Sequence, residues 1–115
     1  MTGPDGRDTV SAAEAVDLVR SGVPLVDVRE QEEWAAGHAP QAQLLPLSEL
    51  GSRVEEVPAE GEVLVVCHAG VRSARATAAL RRAGLRAVNV DGGMLAWRDA
   101  QGELTSENGR TPSVG

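Results

Sequence analysis

The chain carries one cysteine, Cys67, at the end of the run Val63-Leu64-Val65-Val66, and His68-Ala69-Gly70-Val71-Arg72-Ser73 follows it. Four consecutive apolar residues, mostly β-branched, read as a strand buried on both faces. Ser73 to Ala83 then places Ala76, Ala79, Leu80 and Ala83 at helical spacing, with Gly84 as the stop. A tight turn between a strand end and a helix start can aim several backbone N–H groups inward, and the helix adds roughly half a positive charge there. Such a nest attracts anions and stabilises a thiolate. Arg72 adds a full charge at the loop's end, and Gly70 permits a left-handed turn or a close backbone approach. A lone cysteine after an apolar strand is ordinarily an inert core thiol. Thiol, nest and cation together instead predict an exposed, ionised Cys67 acting as a nucleophile, with His68, Ala69, Gly70, Val71, Arg72 and Ser73 as the substrate-binding loop.

Other residues are candidates for support. Arg75, one helical turn past Arg72, is placed to steer an anion at the mouth, or to serve as an ordinary solvated helix arginine. Asp27 and Arg29, at the end of the apolar run Val23 to Val28, are expected to fix loops through hydrogen bonds, with Asp27 also able to face the site. His68 adjoins the nucleophile, but adjacency in sequence does not make it a base; it is read as a loop side chain that tunes acceptor choice. His38 is read as a structural histidine near a turn.

The elements that must position this loop alternate strand and helix. Ser11-Ala12-Ala13-Glu14 fits a capping box and Gly22 a stop, which predicts a helix over about 12–20. Val23 to Val28 reads as a buried strand feeding a helix in Glu30 to Ala36. Leu44 to Leu47 reads as a short strand with Pro46 near its edge, and Ser48 as the cap of a brief helix from Glu49 to about Arg53. Ala87 to Val90 is a further strand, and Gly92-Gly93 opens a last helix containing Met94, Leu95 and Trp97. Alternation of this kind predicts an α/β domain with a mainly parallel sheet and right-handed crossovers, whose ligand site lies beyond the carboxyl ends of the strands. That is where Cys67 falls.

Composition bounds the function. With 115 residues the chain supports one compact domain, expected over residues 9–105, with 1–8 and 106–115 as flexible ends rich in Gly, Pro, Ser and charge. Phe and Tyr are absent, so Val, Leu and Ala must form the core around Trp34 and Trp97. One cysteine excludes an internal disulfide and a Cys-rich zinc site, and no metal or organic cofactor is expected. The net charge of −6 argues against nucleic acid as a partner. Its distribution is uneven: residues 1–66 hold thirteen acids against four arginines, whereas 67–98 hold six arginines against Asp91 alone. All eleven cationic residues are arginines, which disfavours Schiff-base chemistry. The start MTGPDGRDTV has no apolar run fit for a secretory signal, and no stretch approaches the ~20 apolar residues of a membrane span. A soluble, cytoplasmic protein with no membrane partner is expected.

From about Thr9 to Arg98 the sequence resembles the rhodanese family in its single-domain form. The resemblance is carried by Asp27-Val28-Arg29-Glu30 with Glu33-Trp34 and Gly37-His38, by the loop Cys67-His68-Ala69-Gly70-Val71-Arg72-Ser73, and by Asp91-Gly92-Gly93-Met94-Leu95-Ala96-Trp97. Where the family usually shows Gly-His-Ile-x-Gly-Ala, this chain has Gly37-His38-Ala39-Pro40-Gln41-Ala42, a departure at Ala39 and Gln41 that concerns the local turn more than the chemistry. The resemblance implies a five-stranded, mainly parallel sheet with helices on both faces, and a persulfide mechanism at Cys67. A small anionic sulfur donor such as thiosulfate would load Cys67, and a thiol, cyanide or a protein would accept the sulfur. A binding module or protein-to-protein sulfur relay is the alternative. A cysteine phosphatase fits less well, because such enzymes place five residues between Cys and Arg and only four separate Cys67 from Arg72.

Overall fold

A computed structural model of the protein describes residues 6–115. Strand β1 (Thr9–Val10) leads into helix α1 (Ala12–Arg20), followed by β2 (Leu25–Asp27), α2 (Gln31–Ala36) and β3 (Gln43–Leu44). Two 3₁₀ turns (Leu47–Ser52, Val54–Glu56) precede β4 (Glu62–Val66), α3 (Val71–Arg82), β5 (Arg86–Val90) and α4 (Gly93–Asp99). The five strands form one sheet in the order β1-β5-β4-β2-β3, and every pairing is parallel. No helix among the described residues is long and apolar enough to cross a membrane.

Local signals account for most of these elements. Ser11 accepts a 3.2 Å hydrogen bond from the Glu14 N–H at the start of α1. At its end Gly22 takes a left-handed conformation, so the Val23 N–H reaches back to the Leu18 carbonyl. α3 begins at Val71, two residues before the expected Ser73, because left-handed Gly70 occupies the N-cap position. The helix expected over Glu49–Arg53 is instead a 3₁₀ turn that starts at Leu47 behind Pro46, and Ser48 makes no cap bond. Only Leu50 of this segment is buried, too small an apolar face to hold a regular helix. β1 has two residues and no pattern of its own; its register against Asn89 and Val90 of β5 defines it.

The sheet separates two apolar layers, and alternation along β4 assigns its side chains to them. Leu64 and Val66 join Val16 and Val19 of α1, Met94 and Trp97 of α4, and Val114 on one face. Val63 and Val65 join Ala76 and Leu80 of α3, with Leu45, Leu50 and Val57, on the other. The alternation continues one residue beyond β4, so Cys67 falls on the α3 face.

At the edges, residues 1–5 of the expected flexible start lie outside the described residues, while Arg7 pairs with Glu14 and Glu62. The expected loose end 106–115 is laid along α2. The Glu107 and Ser113 N–H groups donate to the Ala35 and Ala36 carbonyls at 2.9 Å, and the Trp34 indole N–H donates to Glu107. Val114 is 6% exposed. A side chain at Gly37 would place its Cβ 2.4 Å from the Ser113 carbonyl oxygen, so this docking needs glycine there.

Candidate active site

The loop from Cys67 to Ser73 is shaped from outside by α4. Its first-turn N–H groups, on Met94 and Leu95, donate to the Cys67 and His68 carbonyls at 2.8 and 3.2 Å. With those carbonyls turned outward, the loop can turn an N–H inward, and Gly70 donates to Cys67 Sγ at 3.1 Å. Gly70 holds φ +103, as its sequence role requires. Approach of α4 to the loop depends on Gly93, where a Cβ would sit 2.5 Å from both loop carbonyl oxygens. The Asp91-Gly92-Gly93 motif therefore permits a backbone contact with the loop.

A second donor reaches the sulfur from α3: Ser73 Oγ lies 3.3 Å from Sγ. Ser73 is fully buried, and its hydroxyl also lies 2.6 Å from Asn89 Oδ1 of β5. The expectation of an exposed sulfur is corrected here. Cys67 is 1% exposed, because strand alternation carries its side chain onto the layer with Val65 and Ala76. The thiol thus has aliphatic packing on one side and, on the other, the Gly70 N–H and a Ser73 hydroxyl whose one proton is contested by Sγ and Asn89 Oδ1. Of the remaining loop residues, His68 is half-buried and Ala69 and Val71 are exposed.

Arg72 also departs from expectation. Its guanidinium does not stand free for an anion but makes two parallel 2.8 Å bonds to the Glu33 carboxylate of α2, each side chain about one-third exposed. Arg72 holds the Glu33 carboxyl down at about 2, against partial burial and with help from the Glu30 N–H. The carboxylate is therefore ionised at neutral pH and the pair is electrically matched. Glu33 in turn raises Arg72 above the usual guanidinium range through their paired hydrogen bonds. The tie follows from α2 carrying Glu33 in its first turn, opposite an arginine-bearing loop.

Asp27 and Arg29 form a buried pair at 2.8 Å, 0% and 1% exposed. Arg29 also donates to the Gly37 carbonyl at 2.7 Å, and Asp27 accepts from the Arg29 N–H. These bonds tie the end of β2 to the Gly37 end of α2. Arg75 is exposed on α3. His38 stacks on Trp34 with ring centroids 3.6 Å apart, and its Nδ1 must carry a proton, since it faces the Trp34 carbonyl at 2.7 Å.

A cavity of about 260 Å³ adjoins the loop, lined by His68, by Arg29, Glu33 and Ala36, and by the C-terminal residues Ser113 to Gly115. Two residues at the site were not assigned roles from sequence. Glu33 was visible as part of a cluster of acids facing a basic block, and Asn89 as the one polar residue within Ala87–Val90. Chemically, the arrangement presents a single thiol whose anion, or a sulfur bonded to it, would meet an amide N–H and a hydroxyl.

A family model for the rhodanese-like domain matches residues 11–100. A sulfurtransferase of Allochromatium vinosum is 40% identical over 76 residues, covering 65% of this chain and 71% of that protein. Thiosulfate sulfurtransferase 18 of Arabidopsis thaliana is 33% identical over 115 residues, covering 86% of this chain and 84% of its own length. The crystal structure of a rhodanese-related protein from Thermoplasma volcanium superposes with a TM-score of 0.80 at 28% identity, covering 85% of this chain and 97% of that one. Other relatives are longer: the match to MoeZ of Mycobacterium tuberculosis spans 24% of that protein.

Proposed function

The chain belongs to the rhodanese-like family, and from that premise we propose that it is a sulfurtransferase in which Cys67 takes up a sulfane sulfur as a persulfide and passes it to a thiophilic acceptor. The observation that carries this reading is the Gly70 N–H aimed at Cys67 Sγ at 3.1 Å, with the Ser73 hydroxyl 3.3 Å from the same sulfur and able to donate to it whenever its proton is not held by Asn89 Oδ1. Both strengthen when the acceptor is an anion, so both favour the thiolate and then the terminal sulfur of a persulfide.

In the first half-reaction the thiolate attacks the outer sulfur of thiosulfate or a similar donor. The donor's S–S bond breaks, its electron pair leaves on sulfite, and the new S–S bond leaves a Cys67 persulfide anion. In the second, a thiol, cyanide or a protein thiolate attacks that outer sulfur and Cys67 departs as thiolate. Two steps through a covalent intermediate give ping-pong kinetics. The buried Asp27–Arg29 pair supports the loop's neighbourhood and touches no reacting atom in this scheme.

Intact mass spectrometry after treatment with a sulfane-sulfur donor tests the reading. One added sulfur is expected on the native protein and none on Cys67→Ser. A Cys67→Ser variant that still released sulfite from thiosulfate at the native rate would overturn it. So would turnover of a phosphate ester with sulfur donors inert.

A further inference from the structure

Arg72 is the only permanent charge in the loop Cys67–Ser73, and Glu33 neutralises it. Two parallel bonds of 2.8 Å fix the guanidinium's plane and direct its donors at the carboxylate rather than toward an incoming ligand. Glu33 is itself held from a second side, since Oε1 accepts the Glu30 N–H at 3.0 Å. Freeing the arginine by swinging the carboxylate away therefore breaks three hydrogen bonds. Glu33 also lines the cavity beside His68, so a donor entering there meets the carboxylate that holds Arg72, while the Arg29 guanidinium on the same wall is already paired with Asp27. Glu30 and Glu32, exposed at the start of the same helix, add negative potential. A free dianion gains little from such a mouth, whereas an uncharged or cationic carrier of sulfur meets no repulsion.

We infer that Glu33 sets the charge of the donor: by neutralising Arg72 beside the Cys67 loop, it selects sulfane sulfur borne on an uncharged or cationic thiol over small dianions such as thiosulfate. This rests on the sulfurtransferase reading and narrows it. In the favoured reaction the Cys67 thiolate attacks the outer sulfur of R–S–SH, the donor's S–S bond breaks, R–S⁻ leaves, and the proton stays on the new Cys67 persulfide. Glu33 touches no reacting atom; it acts through Arg72 as a specificity-determining residue.

Glu33→Gln keeps the side chain's length and an oxygen for the Glu30 N–H while removing the charge. The first measurement is the rate ratio for alkylation of Cys67 by anionic iodoacetate against neutral iodoacetamide. The neutral reagent corrects for access and for the thiol's own reactivity. The ratio should rise about tenfold in Glu33→Gln, the size expected for one unit charge at close range in a partly solvated site, and the gain should shrink in high salt. Turnover should follow: kcat/KM for thiosulfate rises, chiefly through KM, while that for cysteamine persulfide does not. An unchanged or lowered alkylation ratio, or an equal rise for both donors, overturns the assignment. The native protein supplies a check that needs no variant. A mouth with no excess positive charge gives an iodoacetate-to-iodoacetamide ratio that stays level or rises with salt up to ~1 M, whereas a steep fall would reveal an uncompensated Arg72 and refute the assignment. Because alkylation reads the charge at Cys67 whether or not a persulfide forms, failure of this inference and failure of the sulfurtransferase reading are separable.

Discussion

Ser73 has one hydroxyl proton and two neighbours that compete for it, Cys67 Sγ at 3.3 Å and Asn89 Oδ1 at 2.6 Å. With the Asn89 oxygen facing it, the shorter bond takes the proton. With the amide rotated, the NH₂ group donates to Ser73 and leaves the hydroxyl free to donate to sulfur. Asn89 therefore governs, from β5, whether the sulfur receives its second hydrogen bond. Asn89→Asp removes the choice, because a carboxylate only accepts and would hold the Ser73 proton permanently. Alkylation of Cys67 by iodoacetamide near neutral pH should slow by about tenfold in this variant, the worth of one hydrogen bond to a charged group, whereas Asn89→Ala should stay within about twofold. Equal rates in the native and Asn89→Asp proteins would show that the hydroxyl does not serve the sulfur. Sequence made the Cys67 end of this chain legible, since β4 and the loop are contiguous. It left Asn89 unassigned, because nothing local ties a strand residue to a serine sixteen positions earlier.

At the scale of elements, the loop is held in shape by a helix that contributes no side chain to it. α4 meets the Cys67 and His68 carbonyls through its backbone, and Gly93, at φ +60 with no room for a Cβ, is the residue that allows it. Gly93→Ala should lower stability by at least about 2 kcal/mol, from left-handed strain plus the displaced carbonyls, and should abolish sulfur loading of Cys67. Gly84→Ala is the matched control, with φ +94 but nothing within 4 Å of the added methyl. It should cost about 1–2 kcal/mol and leave loading intact. Denaturant midpoints and intact mass together separate the two; a loaded Gly93→Ala protein would mean that α4 does not shape the loop. The Gly92-Gly93 pair was legible as a helix start. Its contact with a loop some twenty-five residues earlier depends on β4 and β5 lying side by side, which local spacing does not state.

At the scale of the whole molecule, the segment 106–115 decides where the folded unit ends. Its Gly, Pro, Ser and charged residues carry no periodic apolar pattern, so composition alone reads as a loose end. One buried side chain, Val114, together with the Trp34–Glu107 bond and two main-chain bonds to α2, attaches it to the fold. A chain ending at Thr105 should lose about 2–4 kcal/mol, from one buried valine and the hydrogen bonds that accompany it, and melt on the order of 10 °C lower. A melting temperature unchanged by the deletion would place 106–115 outside the folded unit.

By itself the sequence determined what near neighbours in the chain decide: a parallel α/β architecture, a thiol at a strand's end, and a left-handed glycine that turns an amide toward it. Periodicity and single-residue backbone preferences act over a few positions and so can be read from the string. Only the tertiary structure decided the charge and cover of the site. Glu33 cancels Arg72 across thirty-nine positions, strand alternation buries the sulfur, and the C-terminal segment walls the adjoining cavity. Ion pairing and burial depend on which surfaces the fold brings face to face, and that is settled only when the sheet and its helices pack.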